Sequence, residues 1–165
     1  MRFACTQPLR YREVARPDSS EKRPGTLDAR PSSVAGVGRF EDLHVWRLSV
    51  EIRDAISRLT DSGKAARDFD FRDQIRGASS SAPRNIAEGF GRFRPKPFAS
   101  FLRIARGSLH ETRNLLHEAR SKKYFEADEV ETLLRLQARA SKAAVRLIKY
   151  LETLPDDFDV TSRAP

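Results

Sequence analysis

Six residues that carry or can acquire positive charge recur at steps of three and four along one predicted helix. They are Arg103, Arg106, His110, Arg113, His117 and Arg120. At about 100° per residue, this spacing gathers them into a stripe about 100° wide. A straight row of positive charge suits the repeated phosphates of a nucleic acid, and such binding weakens steeply with salt. Ion pairs with acids of a neighbouring helix or subunit, or plain solvation, would explain the same pattern, and the sequence leaves both alternatives open.

More basic residues surround the predicted turn that precedes this helix. Between positions 84 and 106 the chain carries six cations and the single acid Glu88. Together with two arginines further along the stripe, they form the candidate nucleic-acid-binding set: Arg84, Arg92, Arg94, Lys96, Arg103, Arg106, Arg113 and Arg120. No aromatic residues interleave with the stripe, which argues against sequence-specific binding of a single strand.

A polar network is predicted near the end of the preceding helix, from Arg76, Asn85, Glu88 and Glu111. A catalytic interpretation would pair the two glutamates as general acid and base. Salt bridges between helices and a capping asparagine explain the same residue types. Because no nucleophile, metal-ligand set or phosphate-binding loop accompanies them, we expect no enzymatic activity.

The three histidines do not predict a metal site. His110 and His117 share a face but lie two turns apart, about 10 Å, which is too far for one ion. Glu41 and His44 have the Glu-x-x-His spacing of di-iron bundles, but the sequence has no second copy. We therefore expect neither a metal nor a cofactor.

Apolar residues at steps of three and four predict four amphipathic helices that position these side chains. The first helix follows Asp42, a suitable N-cap, and ends at 61–63. The second runs from about Asp68 to Arg92. Pro83 is expected to kink or break this second helix, because proline removes a backbone hydrogen bond and clashes with the preceding turn. Two glycines suit a cap at its end: Gly89 and Gly91.

The third helix begins after Pro95 or Pro97, and the fourth starts near 126–128 and stops before Pro155. Small residues would let these helices approach closely: Ala105, Gly107, Ala140 and Ala144. Four such helices with short connections predict an all-α fold, an antiparallel up-and-down four-helix bundle over residues 39–155 with a kinked second helix.

The two ends of the chain differ from this pattern. Residues 1–38 contain four prolines, lack apolar periodicity and carry seven bases against four acids, so we expect a disordered basic tail. This tail could bind nucleic acid or have no role. Residues 156–165 begin with Asp156, Asp157 and Asp159, and we expect them to form a frayed acidic end.

The composition favours a polyanionic partner and a cytoplasmic location. The chain of 165 residues has a formal net charge of +8, although 23 acids are mixed among its 31 lysines and arginines. That balance favours RNA, DNA or an anionic surface, while interleaved charges also occur on simply solvated helices. Cys5 is the only cysteine, which suits a reducing compartment. The sequence contains neither an apolar run long enough to span a bilayer nor a secretory signal, so we expect no contact with a membrane.

Three motifs, in order, resemble a bacterial four-helix-bundle family. They are Phe40-Glu41-Asp42-Leu43-His44-Val45-Trp46, Gln74-Ile75-Arg76 with Pro83 and residues 85–91, and residues 101–109 with Glu111. The family includes proteins encoded in intervening sequences of 23S ribosomal RNA genes and the accessory variability proteins of diversity-generating retroelements. The resemblance covers about residues 40–154. The sequence departs from the family at Ser81-Ala82-Pro83, where a larger apolar residue more often precedes the proline.

The resemblance implies a bundle that assembles into a ring-like homopentamer and has a non-enzymatic role. For the retroelement relatives it implies binding of nucleic acid and of a reverse transcriptase. We therefore expect an adaptor that binds RNA, DNA or another nucleoprotein through basic faces, and a protein-only scaffold is the alternative. A neighbouring subunit is expected to contact the flank of the third helix opposite the stripe, at Ile104, Ser108 and Leu115, although ordinary packing within one bundle would explain the same residues.

Overall fold

A computed structural model describes residues 37–161, and the regular structure in this range is helical. A 3-10 turn, Phe40–Asp42, precedes five helices. These are α1 (His44–Leu59), α2 (Gly63–Arg67), α3 (Phe69–Phe90), α4 (Pro95–Ser121) and α5 (Ala127–Glu152). The predicted all-α fold is confirmed. The predicted tail over residues 1–38 lies outside the described residues, except for its last two positions.

The four long helices form an antiparallel bundle around one core. Helix α1 packs on α3, α3 on α4, α4 on α5, and α5 closes the bundle on α1. Each long helix contributes fully buried side chains, including Ile52, Ile75, Leu102 and Leu151. The apolar stripes predicted from the sequence therefore face inward, and the short α2 serves as the connection between α1 and α3.

Two boundaries of the first helix differ from the prediction. Asp42 lies in the 3-10 turn, where its carboxylate pairs with Arg47 at 2.6 Å, and Leu43 takes the N-cap position of α1. The 3-10 turn forms because the Leu43 amide bonds to the Phe40 carbonyl at 3.0 Å. At the other end α1 stops at Leu59, and a single further turn, α2, follows.

Helix α3 continues through Pro83 without a break. Side-chain donors reach the carbonyls on the N-terminal side of the proline. Arg84 Nε donates to the Ser80 carbonyl at 3.1 Å, and Asn85 Nδ2 donates to the Ser81 carbonyl at 2.9 Å. Of the two expectations for this proline, the break is therefore wrong.

Gly89 allows α3 and α4 to approach closely and does not cap α3. It is buried within the helix, and an added Cβ would lie 2.6 Å from the Cβ of Phe101 and 2.8 Å from Cδ2 of Phe98. The C-cap is Gly91, with an ordinary φ of −68° that needs no glycine. Gly107 was also expected at a helix contact, but an added Cβ there would meet nothing within 4 Å.

Left-handed backbone occurs instead at two residues that carry side chains. Phe93, in the turn between α3 and α4, has a φ of 61°, and Lys123, after α4, has a φ of 53°. Lys123 follows the C-cap of α4, and the Tyr124 amide then bonds back to the Ala119 carbonyl at 2.9 Å. This hydrogen bond is that of the Schellman motif, in which glycine is the usual left-handed residue.

The C-terminal segment packs onto the turn between α3 and α4, so residues 156–161 are not the frayed acidic end that we expected. Val160 is 1% exposed, and its amide donates to the Phe93 carbonyl at 3.1 Å. Asp156 pairs with Lys96 at 2.6 Å, and Phe158 packs against the core. Two apolar residues among the acids give this segment surface to bury. Residues 162–165 lie outside the described part of the chain.

Candidate nucleic-acid interface

The basic stripe on α4 lies on the side of this helix that faces α5. Arg103 pairs with Glu152 at the end of α5, and Lys96 pairs with Asp156 just beyond it. The opposite flank of α4 faces α3, where the Ser108 hydroxyl donates to that of Ser81 at 2.9 Å. The stripe that was predicted from helical periodicity therefore lies beside α5.

Three of the eight predicted nucleic-acid-binding residues form ion pairs within the described chain, and Arg94 donates to the backbone of an acidic residue. Arg92 pairs with Glu88 at 2.7 Å, and Arg94 donates to the Asp156 carbonyl at 3.4 Å, in addition to the pairs of Lys96 and Arg103. Such exposed ion pairs contribute little stability, but they neutralise part of the local charge. The turn between α3 and α4 is therefore less positive than its sequence indicates.

The other four predicted residues have no acidic partner among the residues that the structure describes. Arg84 bonds only to the Ser80 carbonyl, and Arg120 lies 3.5 Å from the ring nitrogen of His117. Arg106 and Arg113 are exposed, and neither makes a hydrogen bond or ion pair within the described chain. Helix α4 thus presents two unpaired arginines two turns apart on the side next to α5.

Helix α5 carries a second basic row that was not among the predicted site residues. Its members recur at steps of four, three, four and three: Arg135, Arg139, Lys142, Arg146 and Lys149. No acid occurs between positions 132 and 151. Arg135 pairs with Glu131 at 3.5 Å, but the other four are exposed and have no ion pair within residues 37–161. The regular spacing of this row is visible in the sequence and could have identified it.

The antiparallel packing places the two rows side by side. Gln137 Nε2 donates to the Leu109 carbonyl at 3.0 Å, which fixes the levels of α5 and α4 near their centres. In this register Arg106 lies near the level of Ala140, between Arg139 and Lys142, and Arg113 lies near that of Leu133, close to Arg135. We use the name "α4–α5 basic face" for six unpaired cations: Arg106, Arg113, Arg139, Lys142, Arg146 and Lys149.

The structure does not join the four predicted polar residues in a network. Arg76 Nε donates to Thr60 Oγ1 at 2.7 Å at the end of α1, while Asn85 bonds to Ser81 and Glu88 to Arg92. Glu111 makes no hydrogen bond or ion pair with any described residue. Arg76 and Asn85 are two and a half turns apart on α3, so they project on opposite sides.

The three residues predicted to contact another subunit divide in the structure. Ser108 and Leu115 are 8% and 5% exposed, because they pack inside the bundle. They leave too little surface for a subunit contact, so the packing alternative applies to both. Ile104 is 53% exposed and is the one member of this set with surface to offer.

A hydrogen-bonded cluster at the start of α3 links it to the loop after α4. One oxygen of Asp68 accepts the Phe71 amide at 3.1 Å as the N-cap, and the other accepts the Tyr124 hydroxyl at 2.6 Å and Lys122 Nζ at 3.3 Å. The hydrogen bond from Tyr124 is the main cause that lowers the pKa of Asp68. The same bond raises the pKa of Tyr124, and a hydrogen bond to Glu118 raises that of Lys122.

We expect Tyr124→Phe to lower the thermal unfolding midpoint near neutral pH, because Asp68 loses a donor to its charged form. The folded-state pKa of Asp68 lies below its unfolded value. Its contribution is therefore complete above the ordinary carboxyl pKa of about 3.9 and is lost as the pH falls through the folded value. The difference between the two proteins should shrink below about pH 4. Tyr150→Phe is the control, since no described residue bonds to that hydroxyl. A difference that persists unchanged in acid would contradict this assignment.

Two other kinds of site are absent from the described residues. No three histidine, cysteine, aspartate or glutamate side chains within 37–161 are grouped so that they could hold a metal ion. No helix in the same range is long and apolar enough to span a bilayer.

Comparison with known proteins gives a family and a fold. Residues 41–147 match the family described as 23S rRNA-intervening sequence protein. A crystal structure of a protein of unknown function from the S23 ribosomal protein family of Bacteroides thetaiotaomicron has a similar fold. Its TM-score is 0.58 at 22% identity, over 64% of this chain and 98% of that one. No curated protein matches this chain significantly. At this identity the crystal structure shows the shared fold alone.

Proposed function

Since the chain belongs to the 23S rRNA-intervening sequence protein family, we propose that it is a cytoplasmic, non-enzymatic adaptor that binds nucleic acid or a nucleoprotein through its α4–α5 basic face. The proposal includes assembly into an oligomer, for which the family resemblance suggests a pentamer. A nucleoprotein partner such as a reverse transcriptase would meet the same face through its bound nucleic acid.

The observation that carries this proposal is the unpaired charge on α5. Four cations, from Arg139 to Lys149, lie on the exposed side of a helix that has no acid over about five turns. Unpaired like charges repel one another, so such a row is expected where an anion compensates it. Arg106 and Arg113 extend the positive surface onto α4. Contacts from lysine and arginine to phosphates give binding that is independent of sequence.

The test is binding of a fluorescein-labelled RNA or DNA probe as a function of salt, followed by anisotropy. The variant Arg139→Gln/Lys142→Gln/Arg146→Gln should bind at least tenfold more weakly at about 0.1 M salt. Its plot of log K against log salt should be shallower by roughly one for each cation removed. These positions are exposed and make no hydrogen bond or ion pair with a described residue, so circular dichroism should be unchanged.

A matched control separates this face from net charge. Arg47→Gln/Arg53→Gln/Arg72→Gln also removes three cations, but from α1 and α3, where each pairs with a neighbouring aspartate. We expect this control to bind with the affinity of the parent protein, and its salt slope should differ from that of the parent protein by no more than about one. Equal losses in both triple variants, or no binding by the parent protein at low salt, would refute the proposal.

One observation favours a protein-only scaffold as the second candidate. The arginines and lysine of the turn between α3 and α4 are engaged by Glu88 and Asp156, and Ile104 is left exposed on the opposite flank of α4. In a scaffold these surfaces would contact protein. The same probe titration separates the candidates, because the scaffold predicts no salt-dependent binding.

A further inference from the structure

The α4–α5 basic face holds its cations in two rows, and we propose that it binds double-stranded nucleic acid by contacting the two sugar–phosphate strands that border one groove. This inference rests on the proposed function and deepens it, because it names the form of nucleic acid that the face accepts. Contacts to the sugar–phosphate strands would also make binding independent of base sequence.

The dimensions of the face suit two strands. The four cations of α5 extend over ten residues, about 15 Å, and the two arginines of α4 extend over seven residues, about 10 Å. Packed helix axes lie about 8–10 Å apart, and in the register set by Gln137 the two rows are staggered, so that together they extend over about 24 Å, roughly two thirds of a duplex turn. A single strand that follows one row would leave the other without a counter-charge.

The surface between the two rows consists of short side chains. Between the α5 row and α4 lie residues with short side chains: Ala138, Ser141 and Val145. Ala138 is exposed, and the other two are half-buried. No long side chain therefore rises between the rows, and two phosphate strands can approach both rows at once.

The α4–α5 basic face carries no exposed phenylalanine, tyrosine or tryptophan on which single-stranded bases could stack. Proteins that hold single strands stack the bases on aromatic side chains, which contribute about 1–3 kcal/mol per base. The exposed phenylalanines of the described chain, Phe69 and Phe93, lie on α3 and in the turn after it. Charge without stacking favours a duplex, which carries about one phosphate charge per 1.7 Å of its axis.

The experiment compares a mixed-sequence duplex of about 20 base pairs, roughly two helical turns, with an unpaired strand of the same length. The full chain should bind the duplex at least tenfold more tightly at equal salt. Two row variants each remove two cations: Arg106→Gln/Arg113→Gln on α4, and Arg139→Gln/Arg146→Gln on α5. Each should weaken duplex binding and lower the salt slope by roughly two.

The outcomes separate the two proposals. If the single strand binds as tightly as the duplex, or only one row affects duplex binding, the duplex inference fails while the proposed function stands. If neither probe binds at low salt, the proposed function itself fails. Duplex preference that both row variants reduce supports the inference.

Discussion

Gly89→Ala should destabilise the bundle by about 1 kcal/mol, although alanine is the better helix former. The new Cβ would lie 2.6 Å from the Cβ of Phe101, an atom fixed to the backbone of α4, so the two helices must separate. Overpacking of this kind costs about 1–3 kcal/mol, and the higher helix propensity of alanine offsets about 1 kcal/mol. Chemical denaturation with an unchanged m-value would measure the loss.

Gly77→Ala supplies the matched control within the same helix. An added Cβ at Gly77 meets nothing within 4 Å, so only helix propensity changes and the protein should gain about 0.5–1 kcal/mol. The two substitutions are chemically identical and should act in opposite directions. If Gly89→Ala also stabilised the protein, α3 and α4 would not approach as closely as the structure has them.

Val160→Ser should lower stability by about 1.5–2 kcal/mol, even though Val160 lies outside the helices. Val160 is 1% exposed, so the substitution removes buried methyl groups and buries a hydroxyl. Loss of this anchor also loosens the amide that bonds to the Phe93 carbonyl and helps to hold the left-handed turn. Thermal unfolding followed by circular dichroism would detect the change.

Asp157→Ser is the control for this prediction. Asp157 is exposed and makes no hydrogen bond or ion pair with a described residue. The unfolding midpoint of the Asp157→Ser variant should therefore stay close to that of the parent protein. If the segment were frayed, neither serine substitution would change the unfolding midpoint. Equal midpoints for Val160→Ser and the parent protein would therefore show that this segment is detached in solution.

The fold could be predicted from the sequence because it depends on periodic burial. The apolar positions at steps of three and four on α3, α4 and α5 are the positions that the bundle buries, such as Ile75, Leu102 and Val130. A local signal of this kind needs no knowledge of the partner helix. Boundaries were less predictable, because the 3-10 turn before α1 depends on two local backbone hydrogen bonds that leave no periodic signal in the sequence.

The candidate site was predictable only in part, because pairing of charges is a tertiary property. The stripe on α4 follows from spacing, but Arg103 meets Glu152 and Lys96 meets Asp156 only once α5 folds back. The same holds for Gly89, whose role depends on the position of Phe101 on another helix. The row on α5 was accessible to the argument from spacing that identified the α4 stripe.

Lys123 illustrates a compromise between backbone strain and charge. Left-handed backbone costs an L-residue about 1–2 kcal/mol, which glycine would avoid. Lysine at this position instead places a cation beside the negative end of the α4 dipole, an interaction that contributes about 0.3–1 kcal/mol. The charge of Lys123 thus offsets part of the backbone strain, and it leaves a cation on the surface of the loop before α5.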